Sequence, residues 1–390
     1  MRWREWLTVG VIASFLLAGC GSSAGSAPAP SSSGSGTPPQ AAQPVQLGAL
    51  LSLKGSYASV GGAEQNALQL AFDQINQAGG ILGRQIKLTI YDDEGDQAKA
   101  QQLASRLAQE DKVAAAFGPG ITAMASVASP VFEQNQVLNI NFTAQREIWQ
   151  DKTYVWSAVP EDLLMSRAMI QYATTKLQAK KIAVLYSSVQ YGVHGNDLLN
   201  QAAKLANLPI VADEKWGEGT FDFTSVIGRI KSTAPDAILL WGSGAPTDAQ
   251  IVKQLRDQGV TTGMVGNTAY VGQQLLDVAG KTAEGFTAVT LMNWINPDKE
   301  TAAFADAYQT KYSKPPTAQA AYAFDGAYRY KAAVEKAGSF EPAKVAAAMV
   351  GLKVRTVQGS FEVTKDDHVG ASSPELYHPL TVKTGKWATP

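Results

Sequence analysis

The sequence has 390 residues, of which 45% are hydrophobic and 17% are charged, and its formal net charge is -1. This composition excludes an intrinsically disordered chain, and the near-zero charge disfavours a nucleic-acid-binding protein, which needs a basic surface. The length exceeds the roughly 250 to 300 residues at which single hydrophobic cores stop growing, so two domains are expected.

The first residues have the pattern of a bacterial export signal. Arg2 and Arg4 form a positively charged start, and residues 9–18 form an apolar stretch that is too short to cross a bilayer as a helix. We therefore predict a signal peptide over residues 1–19 that is removed from the mature protein.

The only cysteine, Cys20, directly follows this segment. The run Leu17-Ala18-Gly19-Cys20 resembles the lipobox of bacterial lipoproteins, in which the cysteine receives a diacylglyceryl group and becomes the mature N-terminus. The alternative is an ordinary secretory signal, but an unpaired thiol is a liability in an exported protein. We expect lipidation of Cys20, with the protein anchored outside the cytoplasm on the outer face of the cytoplasmic membrane or in the periplasm.

Residues 21–44 consist of Ser, Gly, Ala, Pro, Thr and Gln. Such a composition cannot bury an apolar core and is typical of a flexible linker. Residues 20–44 are therefore predicted to hold the lipidated cysteine and a tether for the folded body.

From residue 45 onward, strand and helix signals alternate, which favours an α/β fold with mostly parallel sheets. Leu68, Ala71, Phe72 and Ile75 share one face of a predicted helix, and Ala100, Leu103, Ala104 and Leu107 share a face of the next. Strands are predicted over residues 45–51, 86–91, 113–117, 181–186 and 237–241.

Sheets of this kind bind ligands beyond the carboxyl ends of their strands. The candidate loops therefore follow the predicted strands, at residues 52–62, 118–125, 139–143, 187–195 and 242–248.

Three sequence blocks carry a family resemblance. They are LLSLKGSYA at residues 50–58, DQINQAGGILGR at residues 73–84 and YDDEGD at residues 91–96. Later blocks fall in the same order, namely Gly118-Pro119, Val159-Pro160-Glu161-Asp162, Tyr191-Gly192, Ala234-Pro235-Asp236-Ala237, Ala283-Glu284-Gly285 and Ala321-Tyr322-Ala323-Phe324-Asp325. Nearly everything from residue 45 to the C-terminus resembles the branched-chain amino-acid-binding family of ABC-transporter solute receptors.

The resemblance implies the fold of type I periplasmic binding proteins, in which two Rossmann-like α/β lobes are joined by three crossover strands and hold the ligand in the cleft between them. The crossovers would lie near Pro160, Phe286 and Leu352. Lobe 1 would comprise residues 45–159 and 287–352, and lobe 2 would comprise residues 160–286 and 353–390. Hinge closure around the ligand is the expected motion.

The resemblance also implies the function and the site. The protein would be a monomeric receptor that binds a small molecule, needs no cofactor and presents the closed form to an ABC permease. Lobe 1 would hold a ligand carboxylate through Gly120, Ile121, Thr122 and Thr143, since hydroxyls and helix-start N–H groups favour an anion. Lobe 2 would contribute Tyr191 and, after Trp241, Ser243.

One departure from the family changes the expected ligand. Many amino-acid-binding members have an acidic residue that pairs with the ligand ammonium, and Thr268 stands at that position here. A buried ammonium without an ion pair is costly, so we expect an aromatic or aliphatic carboxylate or amide without a free α-ammonium. The alternative is that another acid fills the role. Additional aromatic side chains are expected to face the cleft, namely Tyr57, Phe142, Tyr270 and Trp294.

No enzyme site emerges from the sequence. His194, His368 and His378 lack metal-ligand spacing, and no nucleophile is paired with a base. His194 either lines the cleft or is a solvated loop residue, and the aromatics from Tyr322 to Tyr330 are expected to pack in the core. A ligand-binding sensor that docks on a signalling partner remains the alternative function.

Overall fold

The structure is a computed structural model that describes residues 43–390 except residues 218, 294, 372 and 373. The predicted signal peptide, Cys20 and nearly all of the predicted linker lie outside these residues, as does Trp294. In the described part of the chain, no helix combines the length and the apolar character needed to cross a membrane.

The first half of the chain builds a parallel, five-stranded sheet with the strand order β2-β1-β3-β4-β5. Its first strand coincides with the predicted one, and it is almost wholly buried because helices cover both faces of the sheet. The strands are β1 (Val45–Leu51), β2 (Ile86–Asp92), β3 (Ala115–Phe117), β4 (Leu138–Asn141) and β5 (Val155–Ser157). The helices between them are α1 (Ala58–Gln77), α2 (Gln97–Ser105), α3 (Thr122–Gln134) and α4 (Arg146–Trp149).

The next segment builds most of a second sheet, whose neighbouring strands are again parallel. Its strands are β6 (Ile182–Ser187), β7 (Ile210–Trp216), β8 (Ala237–Trp241), β9 (Gly263–Gly266) and β10 (Thr287–Thr290). Its helices are α5 (Asp162–Thr175), α6 (Gln190–Leu205), α7 (Thr224–Thr233), α8 (Pro246–Asp257) and α9 (Gln273–Ala279). The predicted strand over residues 237–241 is confirmed as β8, which is entirely buried.

The chain then returns to the first sheet. Helices α10 (Lys299–Tyr312), α11 (Ala318–Ala337) and α12 (Pro342–Met349) are followed by an antiparallel hairpin of β11 (Lys353–Thr356) and β12 (Gly359–Glu362). Tyr328 Oη of α11 donates to Gln74 Oε1 of α1 at 3.0 Å, and Tyr312 Oη of α10 donates to the Asn66 carbonyl at 2.7 Å.

Strands β13 (His378–Lys383) and β14 (Lys386–Ala388) complete the second sheet, which has seven strands in the order β14-β13-β10-β9-β8-β6-β7. Both added strands pair antiparallel with their neighbours. The α/β fold class predicted from the sequence is therefore confirmed.

Two placements in the predicted lobe division are wrong. Strand β10 was expected in lobe 1, but it pairs with β9 and β13 of the second sheet. The β11–β12 hairpin was expected in lobe 2, but Phe361 packs with Trp149 and Val155 beside the first sheet. We propose a first lobe of the five-stranded sheet with α1–α4, α10–α12 and the hairpin, and a second lobe of the seven-stranded sheet with α5–α9.

The chain passes between the two sheets after β5, after β10 and after β12. A buried polar cluster on α11 holds the first and third of these connections to lobe 1. Arg329 Nη1 donates to the carbonyls of Ser157 and Val369 at 3.3 and 3.1 Å, while Asp325 accepts the backbone N–H groups of Val357 and Gln358. Burial lowers the pKa of Arg329 to about 10, although the Asp325 carboxylate acts in the opposite direction.

Candidate ligand-binding cleft

A cavity lies between the two lobes, at the carboxyl ends of strands from both sheets. Its walls include residues directly after β3, β4 and β5 of one sheet and after β6, β8 and β9 of the other. The volume open to the centre of a water-sized sphere is about 80 Å³. This is the position at which open α/β sheets bind small ligands.

The structure brings all but two of the predicted ligand-binding residues to this cavity. Those that line it are Tyr57, Gly120, Ile121, Thr122, Phe142, Thr143, Tyr191, Ser243 and Thr268. Trp294 lies outside the described residues. Tyr270 does not line this cavity: its ring packs 5.1 Å from Phe286 in the second lobe, and the residue lines a neighbouring cavity between the lobes.

The lobe 1 wall carries the groups that suit an anion. Thr122 is the first residue of α3, where the helix leaves N–H groups without intrahelical partners and presents its positive end. The Thr143 hydroxyl donates to Asn141 Oδ1 at 2.9 Å, and the Thr143 backbone N–H donates to the same oxygen at 3.1 Å. A ligand oxygen must therefore draw the Thr143 hydroxyl hydrogen away from Asn141, whereas the start of α3 is oriented by the helix itself.

Phe142 lines the cavity, and α11 makes room for its ring. A Cβ atom at Gly326 of α11 would lie 2.9 Å from the Phe142 ring. The glycine therefore lets a phenylalanine form part of the cavity wall.

The lobe 2 wall contains a buried carboxyl group that the sequence interpretation did not identify as a site residue. Asp162, the first residue of α5, is 1% exposed, and its Oδ1 accepts a hydrogen bond from Tyr191 Oη at 3.4 Å. Its Oδ2 has no hydrogen-bond partner among the described residues. Burial raises the pKa of Asp162 well above its ordinary value, and nearby Glu147 and Glu161 act in the same direction.

Two further tyrosines complete this part of the cavity. Tyr322 of α11 and Tyr377 before β13 both line the cavity, and burial raises the pKa of each hydroxyl. Tyr322 packs in the hydrophobic core as expected, and it also lines the cavity. The sequence did contain a signal for both residues, because each lies in a block that carries the family resemblance. Asp162 stands beside the first crossover, and Tyr322 stands on α11, which follows the second one.

None of the three histidines lines the cavity. His194 is half-buried on α6 and is not part of the cavity wall, so the cleft role left open for it is not supported. His368 is buried, with its ring stacked 3.9 Å from Trp156 and 5.6 Å from Trp149. Among the described residues, no cluster of His, Cys, Asp and Glu could hold a metal ion.

A sequence model of the periplasmic binding protein family matches residues 44–380, which is well over half of the chain. The chain belongs to the periplasmic binding protein family. This periplasmic binding protein is therefore a solute-binding receptor rather than an enzyme, and its family acts outside the cytoplasm.

Characterised relatives agree along most of the sequence. The protein is 25% identical over 343 residues to the Leu/Ile/Val-binding protein BraC3 of Rhizobium johnstonii, covering 87% of this chain and 92% of that one. It is 24% identical over 323 residues to the leucine-, isoleucine-, valine-, threonine- and alanine-binding protein of Pseudomonas aeruginosa, covering 82% and 86% of the two chains.

Solved structures share the fold of this periplasmic binding protein. The substrate-binding protein LivJ of Streptococcus pneumoniae, in complex with isoleucine, superposes with a TM-score of 0.80 at 25% identity, over 88% of this chain and 98% of that chain. A solute-binding protein of R. palustris in complex with benzoate superposes with a TM-score of 0.78 at 20% identity, over 88% and 95%. The second likeness concerns the fold alone.

Proposed function

We propose that this receptor binds a small carboxylate-bearing molecule between its lobes, closes around it and delivers it to an ABC permease. The observation that carries the proposal is the cavity at the carboxyl ends of both sheets, with the start of α3 on one wall and Asp162 on the other. The Leu/Ile/Val-binding names of its relatives support an amino-acid-sized ligand.

We propose further that the ligand lacks a free α-ammonium group. Thr268 lines the cavity at the position where an acid would pair with the ammonium, and its side chain carries no charge. Asp162 is the carboxyl group in the cavity wall, but burial raises its pKa and so favours its uncharged form. An uncharged carboxyl group both donates and accepts hydrogen bonds, which suits a neutral ligand end.

Calorimetry on protein freed of bound ligand by unfolding and refolding tests this proposal. The matched pairs are leucine with 4-methylpentanoate and phenylalanine with 3-phenylpropanoate, which differ only in the ammonium group. We expect the acids without an ammonium to bind at least roughly tenfold more tightly, a difference of about 1.4 kcal/mol.

Two variants show which side chain discriminates between the amino acids and the ammonium-free acids. Asp162→Asn should leave binding of the ammonium-free acids nearly unchanged, because the amide keeps the hydrogen-bonding capacity. Thr268→Glu should tighten the binding of the amino acids relative to that of the ammonium-free acids. Tighter binding of leucine than of 4-methylpentanoate, lost in Asp162→Asn, would show instead that Asp162 pairs with an ammonium.

We also propose that a signal over residues 1–19 exports the chain and that a lipid on Cys20 anchors it. A linker over residues 21–44 has a reach of roughly 25 to 30 Å, which keeps the receptor near a membrane partner at high effective concentration. Cys20→Ser should move the protein from the membrane fraction to the soluble extracytoplasmic fraction. Unchanged membrane association of this variant would refute lipid anchoring.

Delivery to a permease is tested by uptake into vesicles that contain the candidate transporter. Ligand accumulation that requires both the receptor and ATP would support transport. Binding to a signalling protein without any uptake would favour the sensor alternative. We expect a monomer in both assays, which light scattering checks directly.

A further inference from the structure

A second, larger cavity adjoins the ligand cavity between the same two lobes. We call the ligand cavity the proximal chamber and the second cavity the distal chamber. The space that the centre of a water molecule can reach measures about 80 Å³ in the proximal chamber and about 270 Å³ in the distal chamber. Val60, Ala269 and Gln319 line both chambers. The two spaces therefore meet at a boundary made of one small, one medium and one flexible side chain.

Both lobes build the distal chamber. Ser59, Ala63 and Tyr308 come from lobe 1, while Ala245 and Leu275 come from lobe 2. The lobes are close at the boundary, where a Cβ atom at Gly244 would lie 3.3 Å from Cγ2 of Val60. A ligand that reached into the distal chamber would thus touch both lobes and favour their closed arrangement.

The distal chamber is walled largely by apolar side chains. Its apolar members include Val60, Ala63, Ala245, Ala249, Val271 and Leu275, which are all buried. The buried Asp248 also lines it, but Asp248 Oδ2 accepts the Gly244 N–H at 2.7 Å and so is engaged with its own loop. Lys314 and Gln273 lie at the exposed side of the chamber. Such walls favour a hydrocarbon occupant over a charged one.

The groups suited to a carboxylate all belong to the proximal chamber. Thr122, Thr143 and Asp162 line that chamber and are absent from the walls of the distal one. The proximal chamber has less than a third of the space of the distal chamber. A long ligand held there by its carboxylate would extend past Val60 and Ala269 into the distal chamber.

Resting on the proposed carboxylate function, we propose that the ligand carries an apolar tail several carbons longer than the leucine side chain, and that the tail occupies the distal chamber. The carboxylate then sets the position of the ligand, and the tail supplies apolar contact with both lobes.

A series of straight-chain carboxylates from butanoate to decanoate tests the proposal by calorimetry on ligand-free protein. Each methylene that enters an apolar chamber should tighten binding about fourfold, from about 0.8 kcal/mol per buried methylene. We expect this gain to continue beyond hexanoate. Alkanols of equal length should bind far more weakly, because they lack the carboxylate.

Ser59→Trp and Gln274→Trp narrow the distal chamber from lobe 1 and lobe 2 respectively, and neither residue lines the proximal chamber. Both variants should keep the wild-type affinity for butanoate and lose the gain beyond hexanoate. Gln102→Trp, at an exposed position of α2 outside both chambers, is the matched control and should behave as wild type.

The outcomes separate the two proposals. Affinity that peaks at four to six carbons and then falls, or a gain with length that neither tryptophan variant changes, would overturn the distal chamber as a tail site while leaving the carboxylate function in place. Failure of every carboxylate, including the branched and aromatic acids above, to bind would overturn both proposals.

Discussion

At the scale of single residues, the loop that forms the cavity wall in lobe 1 requires a residue without a side chain at position 120. Gly120 lies directly on the carboxyl group of Glu64 of α1, so that a Cβ atom at position 120 would overlap Glu64 Oε1. Glu64 is 1% exposed, and its Oε1 has no hydrogen-bond partner among the described residues. The position of the loop before α3 is therefore set by close contact with a buried acid.

Gly120→Ala should disturb this contact and weaken ligand binding. Overpacking of a buried site typically costs about 1 to 3 kcal/mol, so urea unfolding should show a loss of that size. Gly62→Ala is the matched control, because nothing lies within 4 Å of a Cβ atom there. In the second turn of α1, Gly62→Ala should leave stability unchanged or raise it by up to about 1 kcal/mol. Equal effects of the two substitutions would contradict the proposed contact.

The ionisation of Glu64 should make stability depend on pH. Burial raises the pKa of Glu64 well above its ordinary value, and nearby Asp93 acts in the same direction. The stability tied to a raised carboxyl pKa is present at low pH and is lost as the pH rises through the folded-state pKa. Glu64→Gln removes this titration while keeping the shape of the side chain.

We therefore expect the free energy of unfolding of Glu64→Gln to increase relative to that of wild type as the pH is raised from 5 to 8. Urea unfolding at several pH values measures the difference. Burial also raises the pKa values of Asp93, Asp162 and Asp325. The free energy of unfolding of wild type and of the variant should therefore keep the same remaining dependence on pH. A difference that does not vary with pH would show that Glu64 titrates normally.

At the scale of elements, α11 joins the parts of lobe 1 that are distant in sequence. It packs on α1 and carries Gly326 against Phe142. It also holds the turn of the hairpin through Asp325 and the segment after the hairpin through Arg329. Asp325 accepts two backbone N–H groups and the Gln358 side-chain amide. These contacts give Asp325 a structural role in holding the hairpin.

Asp325→Ala should destabilise the protein by about 1 to 3 kcal/mol or more, because it leaves the buried backbone N–H groups of Val357 and Gln358 without their acceptor. Glu335→Ala on the same helix removes an exposed ion pair with Lys331 and should cost less than about 1 kcal/mol. Chemical denaturation of both variants checks the contrast. A loss below 1 kcal/mol for Asp325→Ala would show that the buried hydrogen bonds of Asp325 add little to stability.

At the scale of the whole molecule, the largest hydrophobic core includes residues from both sheets, such as Leu47 of β1 and Leu239 of β8. We expect residues 43–390 to unfold in a single cooperative transition, seen alike by fluorescence and by circular dichroism. Ligand at 100 times its Kd should raise the free energy of unfolding by about 2.7 kcal/mol. Two separate transitions, of which the ligand shifts one, would show that the lobes unfold independently.

The sequence alone determined the α/β class, the strands β1 and β8, and nine of the residues that line the cavity. These features follow from local physics: fully buried strands appear as apolar runs, and the loops that bind ligands come directly after the strands. Membership of the family was also visible, since short blocks around glycines and acids follow a specific order.

The tertiary structure alone decided which lobe received β10 and the β11–β12 hairpin, because strand pairing joins residues far apart in the chain. It also placed Asp162 and Tyr322 in the proximal chamber and Tyr270 at the wall of the distal chamber, although Tyr270 lies two residues after Thr268. The direction of a side chain in a short turn, and the neighbours that bury a carboxyl group, depend on tertiary packing, which a linear pattern does not contain.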